Sequence, residues 1–368
     1  MLYFSGIPKR EEDLTIEQKK REIQYDYLRA LAVFAVITVH SIPEETLNFR
    51  QWLFSAALTP LLLTSVCIYF MISGMFILKS GTEDIPGFYR KRFLNIFIPF
   101  VFYSGIYYWY YEIYLGEEGL SPGRHLAAFA KEFFTGTTPQ APHLWFMYAL
   151  LALYLCAPFL ARMFKAMSDK ELKIFLVLIL TVQAGLTYLP PLGLDMGESL
   201  GYMVFKGWFI YFILGYACRR LYRRGNYLPF GLLGLAGFLI TILQKYFTPS
   251  FMPGIHDMAP TMTAMAVSIF LFFEEFGNRR LPVLAKAAGF ISRRSFSVYL
   301  IHYLVLGQAA EKLVETTSIR HFYVPKILCT AVLVFFISLA LSWILDETVV
   351  KLLKRGIGAV TFEKKVVK

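Results

Sequence analysis

Apolar runs of roughly 16–25 residues recur along almost the whole chain, each long enough to cross a hydrocarbon core of about 30 Å as a helix. Barrel strands alternate in polarity over about ten residues, and these runs do not alternate. With 57% hydrophobic and 17% charged residues, the 368-residue chain also lies outside water-soluble compositions. A soluble enzyme, a coiled coil and a disordered chain are excluded, and no large extramembrane domain fits. The pattern predicts an all-α polytopic membrane protein with about ten transmembrane helices, near residues 23–42, 52–78, 93–115, 143–161, 174–192, 202–218, 228–247, 259–276, 290–310 and 323–346. Residues 1–22 read as a cytoplasmic N-terminal segment, 23–346 as the transmembrane domain and 347–368 as a basic cytoplasmic tail.

The net charge of +11 would suggest nucleic acid in a soluble protein, but here it follows the positive-inside rule. With the N-terminus inside, 28 of the 37 Lys and Arg residues fall on the inner side, 8 on the outer side, and Arg29 lies within the first span. Both termini are therefore expected in the cytoplasm, and nucleic acid is not expected as a partner. No cleavable signal peptide is visible, so the first span is expected to be its own signal. The four cysteines show no metal or redox spacing and read as small apolar residues, and no metal is expected. One longer loop, 116–142, is rich in Gly and Pro and is expected to form an ordered or partly helical cap on the outer face. Its Gly119-Leu120-Ser121-Pro122-Gly123 has nucleophile-elbow spacing but lacks the strand-turn-helix context that gives that motif meaning.

Ionisable groups inside a membrane cost about 2.5–3.5 kcal/mol each on insertion scales, so those present usually face a cavity or a partner. Arg29 and His40 lie eleven residues apart in the first span. Eleven steps of about 100° return to within about 20° of the start, so both share one face, separated by about 16 Å along the axis. That face carries a fixed cation at one end and a titratable base at the other. The plainer alternative has Arg29 snorkelling beside Asp26 and His40 ending the span before Pro43. Pro142-His143-Leu144-Trp145-Phe146 opens the fourth span, as a second site element or as an aromatic-belt anchor. Ser295 to His302 brings Tyr299 and His302 onto one face of the ninth span, where polar groups can also act as interhelical glue. Arg90 and Arg92 open the third span as a phosphate anchor or a topology signal, and Ser73-Gly74 permits close approach of a helix or a ligand. Gly231, Gly234 and Gly237 read as helix packing, Glu44 or Glu45 as a possible orienter of His40, and His125, His256 and His321 as solvated loop residues.

In order, Arg29-x10-His40, Tyr69 to Leu78, Arg90 to Pro99, His143-Leu144-Trp145-Phe146 and Ser295 to His302 resemble the acyltransferase-3 family of integral membrane acyltransferases, particularly its surface-polysaccharide O-acyltransferase branch. The resemblance spans about residues 20–345, and one departure is Asn95, where a further basic residue is expected. It implies transfer of an acyl group, expected to be acetyl, from cytoplasmic acyl-CoA to a hydroxyl of a lipid-linked or surface glycan, at a bacterial inner membrane. Acyl-CoA enters as a co-substrate, with no tightly bound cofactor, and membrane lipid surrounds the chain. On this resemblance His40 is the general base, and Arg29, counted with it as catalytic, holds the donor phosphates alongside Arg90 and Arg92. Arg90, Arg92 and Ser73 bind the donor, and His143, Trp145, Tyr299 and His302 form a secondary site. No soluble hydrolase-like domain is seen, so the membrane domain is expected to complete transfer or pass the group to another protein. The competing expectation is a transporter or flippase of a sugar or amino-acid derivative, with the same polar residues lining a path.

Overall fold

The computed structural model describes residues 22–43, 48–80, 84–116, 119, 121–189, 193, 207–247, 259–279 and 281–362, and no strand occurs among them. Helix α1 (Ile23–His40) leads to α2 (Phe49–Ser80) and α3 (Ile85–Arg92), which passes through a π turn (Phe93–Phe97) into α4 (Ile98–Tyr108). Next come α5 (Pro122–Thr135), α6 (Trp145–Ala166), α7 (Asp169–Tyr188), α8 (Phe209–Leu221), α9 (Tyr227–Phe247) and α10 (Pro260–Phe276). The chain closes with α11 (Pro282–Val305), the short α12 (Glu311–Glu315), α13 (Tyr323–Leu345) and α14 (Lys351–Phe362), with further π turns at Trp109–Tyr114 after α4, Leu306–Ala310 after α11 and Asp346–Val350 after α13.

Among the described residues, five helical stretches are long and apolar enough to cross a membrane: Phe49–Lys79, Pro142–Ala166, Asp169–Tyr188, Tyr227–Phe247 and Tyr323–Ala359. Elsewhere the described parts of the expected spans are largely helical but shorter or more charged. Helix α10 has 17 residues, and α1 carries Asp26 and Arg29 among its 18. The solvent of this fold is apolar. Leu155, Leu178 and Leu232 are 65%, 55% and 59% exposed, whereas Asp26, Ser338 and Ser342 are buried. Soluble monomers rarely expose apolar patches on this scale, while helices in lipid must.

Small residues set the helix crossings. A Cβ on Gly74 of α2 would lie 1.7 Å from the Phe212 carbonyl oxygen of α8, and one on Gly215 1.8 Å from that of Met71. Ser73-Gly74 therefore admits a helix on its glycine side, as small residues do where helices lack a hydrophobic drive to associate. Gly234 and Gly237 likewise bring α9 onto Ser268 and Thr261 of α10, while Gly231 faces Tyr227 of its own helix. Helix α11 packs against both α1 and α13. At the arginine-rich end, Arg219 of α8 pairs with Glu274 of α10 and, at 2.5 Å, with Glu22, and the Tyr25 hydroxyl donates to Glu274. Three helices are clamped there by groups that would be costly in lipid alone.

The 116–142 segment contains α5, which starts at Ser121-Pro122 and ends at a left-handed Gly136 with φ of 73°. It packs on α4 through Phe129 against Tyr108 and Phe133 against Phe100. His125, expected in a loop, lies on this helix because its ring bonds the Tyr108 hydroxyl at 3.2 Å. His321 is exposed beside Arg320. Part of the expected tail is helical, since α14 extends to Phe362. Residues 1–21, Glu44, Glu45, His256 and 363–368 lie outside the described residues.

Candidate active site

Three helices deliver three histidines to one point. His40 is the last residue of α1, His143 stands in the single 3-10 turn before α6, and His302 lies in the last turn of α11. Their rings are in contact, with centroids 5.4 Å apart for His40 and His302 and 4.8 Å for His143 and His302. Tyr303 completes the cluster, stacked on His143 and edge-on to His40, each at 5.3 Å.

Hydrogen bonds define two of the tautomers. His302 Nδ1 lies 2.5 Å from the Tyr299 carbonyl, and His143 Nε2 lies 3.3 Å from that of Leu300. A carbonyl only accepts, so each of these nitrogens carries its proton and the other nitrogen of each neutral ring is a bare acceptor. Those acceptors, His302 Nε2 and His143 Nδ1, are buried without a hydrogen-bond partner among the described residues. His143 and His302 are 3% and 0% exposed, whereas His40 is only half-buried. His40 is thus the least buried of the three histidines, with two buried rings behind it.

Toward the arginine-rich end of the same bundle lies a cavity of about 270 Å³, lined by Arg29, Ser73, Arg92, Tyr154, Ser292 and Tyr299 among others. Helix α3 docks on α6 through a 2.6 Å bond from the Tyr89 hydroxyl to the Leu155 carbonyl. That seats the Arg92 guanidinium between two rings, 5.1 Å from the centroid of Phe88 and 5.0 Å from that of Tyr154. Its Nε is buried with no hydrogen-bond partner among the described residues, as is the Ser292 hydroxyl. Arg29 lies over Phe76 at 5.0 Å and pairs with Asp26 at 3.9 Å. The cavity therefore presents two guanidiniums, one with an unfilled donor, on an otherwise aromatic and hydroxylic wall. An anionic group fits that lining.

Tyr299 and Phe146 join the two regions. Both line the cavity, their rings pack at 5.2 Å, and Tyr299 also packs against His143 at 5.4 Å while its hydroxyl donates to the His143 carbonyl. The arginine cavity and the histidine cluster are thus successive compartments along α1, with Arg29 in one and His40 in the other.

Of the residues singled out from the sequence, Arg29, Ser73, Arg92 and Tyr299 meet at the cavity, and His40, His143 and His302 meet at the cluster. Arg90 is exposed and absent from the cavity wall, because two helical steps from Arg92 turn it about 200° away. Trp145 is 41% exposed and packs on Trp208 at 4.9 Å instead of on the histidines. His143, read as a candidate for the headgroup belt, is buried because Tyr299 and Leu300 cover it. Sequence reading missed Tyr303 and Tyr154 as parts of the site, and held Phe146 only as a member of the His143-Leu144-Trp145-Phe146 motif. Tyr303 directly follows His302, but nothing in its spacing marks a second ring partner on another helix.

An all-helical membrane chain with clustered imidazoles beside a guanidinium cavity has the makings of a group-transfer site. The chain matches the acyltransferase domain family over residues 22–347 and belongs to it. It is an acyltransferase of the multi-pass membrane class. It is also 24% identical over 302 residues to the Bacillus subtilis (strain 168) protein named "Putative membrane-bound acyltransferase YfiQ", covering 76% of this chain and 80% of that relative. No solved structure matches the chain. Family membership sets aside the transporter expectation, which required no acyl chemistry.

Proposed function

We propose that this membrane acyltransferase takes an acyl group, acetyl in the simplest case, from acyl-CoA and transfers it to a hydroxyl of a lipid-linked or cell-surface glycan. The observation that carries the reading is the division of the bundle into an arginine cavity and a histidine cluster with one imidazole less buried than the other two. Arg29 and Arg92 attract phosphate at one end, and His40 stands about 16 Å further along the same helix. An extended pantetheine arm bound at the arginines delivers its thioester toward His40.

His40 takes the acceptor proton as the hydroxyl oxygen attacks the thioester carbonyl. The C–S bond then breaks, the acyl group leaves on the acceptor oxygen as an ester, and the proton passes from His40 to the departing CoA thiolate. Such a base contributes about 10²–10⁴-fold in rate. His143 and His302 are positioning residues that hold His40 and Tyr303 in register. In this reading about ten spans place both termini and the arginine-rich turns in the cytoplasm of a bacterium, where acyl-CoA is found, and the 116–142 cap on the outer side of the inner membrane.

Purified protein incubated with labelled acetyl-CoA tests the donor, and addition of lipid-linked glycan tests the acceptor. CoA release that rises on adding glycan, with label recovered in the glycan as an alkali-labile ester, supports both. Release with no label in the glycan leaves the donor standing and rejects the acceptor.

A further inference from the structure

Beside the arginine cavity lies a second cleft of about 620 Å³, walled by Arg293 and Arg294 of α11 and by Lys351, Lys354 and Arg355 of α14. It shares Ile96 and Phe296 with the first cavity, so those two side chains border both compartments. We propose that this cleft binds the phosphorylated nucleotide end of the donor, with the pantetheine arm passing Ile96 and Phe296 into the Arg29–Arg92 cavity. The proposal rests on the acyl-CoA reading above.

Size argues for a two-chamber site. Pockets for ligands of this class span roughly 300–1,000 Å³, so the first cavity alone is small for a nucleotide and its arm, whereas the second falls within the range. Charge argues the same way. Of the cleft's two carboxylates, Glu347 is already shared by Arg294 at 3.8 Å and Lys351 at 3.2 Å. Asp346 accepts from the Ser297 hydroxyl at 2.9 Å and from that of Tyr103 at 3.2 Å, and reaches Lys354 only through space. No ion pair joins Lys354 or Arg355 to a described residue, which leaves cationic charge on this wall for phosphate.

Backbone irregularity points to the same place. Two of the four π turns among the described residues border the cleft, one contributing Asn95 and Ile96, the other Asp346 and Glu347, and α14 packs against the first of these. Single π turns insert a residue into a helix and occur often at functional sites. Asn95 is neutral here, and the cations of the cleft come from α11 and α14 instead.

The probe is adenosine 3′,5′-bisphosphate, which carries the nucleotide phosphates without the thiol arm, added to the full chain in phosphatidylcholine nanodiscs. Lys354→Ala with Arg355→Ala is expected to weaken its binding at least tenfold, the loss typical of a charge-assisted contact. Arg223→Ala with Arg224→Ala, equally basic but elsewhere, serves as control and is expected to leave binding within twofold. In turnover, the parent prefers acetyl-CoA to acetyl-dephospho-CoA through KM, and the α14 variant loses that preference while keeping its kcat. No bisphosphate binding by the parent, or equal binding by parent and α14 variant, overturns the proposal. So does loss of phosphatidylglycerol retention in the variant with bisphosphate binding unchanged, which makes the cleft a lipid-headgroup site. A parent that binds the bisphosphate yet releases no CoA from acetyl-CoA rejects the donor reading above and keeps the cleft as a nucleotide-phosphate site.

Discussion

Arg92 and Arg29 face the same cavity from different surroundings, and their substitutions should differ accordingly. Arg92 is held between Phe88 and Tyr154 with a buried Nε lacking a partner among the described residues, while Arg29 is ion-paired with Asp26. Arg92→Ala is expected to weaken acyl-CoA binding by roughly 1.5–3 kcal/mol, measured by calorimetry on the detergent-solubilised protein. Arg92→Lys should recover little of it, since an ammonium neither stacks between rings nor forks to phosphate. Arg29→Ala should lose less, because the Asp26 carboxylate already satisfies part of its charge. Unaltered acyl-CoA binding in both alanine variants, with the protein still folded, contradicts a phosphate role for this cavity. Arg92 and Arg29 were legible from the sequence because charge stands out against apolar runs. Arg90 was not separable from Arg92 there, since choosing between neighbours requires the facing helix α6.

Close helix crossings carry the load that a water-driven core would carry elsewhere. At the α2–α8 crossing any side chain on Gly74 meets the Phe212 carbonyl, whereas a Cβ on Gly119 meets nothing within 4 Å. Gly74→Leu is therefore expected to lower the thermal unfolding temperature sharply or abolish recovery of monodisperse protein, with Gly119→Ala at the parental value. Size-exclusion chromatography after a temperature series checks this, and a parental profile for Gly74→Leu contradicts the crossing. Helix positions were largely legible, because apolar run length translates directly into helix length. The π turns at Phe93–Phe97 and Asp346–Val350 were not, since they arise where packing inserts a residue into a helix whose sequence reads as continuous. For the same reason the Lys351–Arg355 charges read as a plain tail.

Across the whole molecule, the proposed orientation rests on the distribution of Lys and Arg, and with it the two compartments would give transfer a direction. With native cysteines replaced, a cysteine at Gly119 should react with an impermeant maleimide in intact cells and one at Gly225 only after lysis, the reverse pattern contradicting the proposed topology. The single face shared by Arg29 and His40 was legible in the sequence as an eleven-residue spacing, whereas the meeting of His40 with His143 and His302 is a tertiary fact that no single helix encodes. The account depends most on His40 acting as the base. The measurement is CoA release from acetyl-CoA with a saturating hydroxyl acceptor, by parent and His40→Gln protein, between pH 5 and 8. Glutamine keeps the hydrogen-bonding bulk and cannot take up a proton. The neutral imidazole is the active form, so parental turnover should fall as the medium is acidified. His40→Gln should retain no more than about a hundredth of parental turnover at neutral pH, without that dependence. A His40→Gln protein that keeps more than about a tenth of parental turnover, with the parental pH profile, contradicts the account.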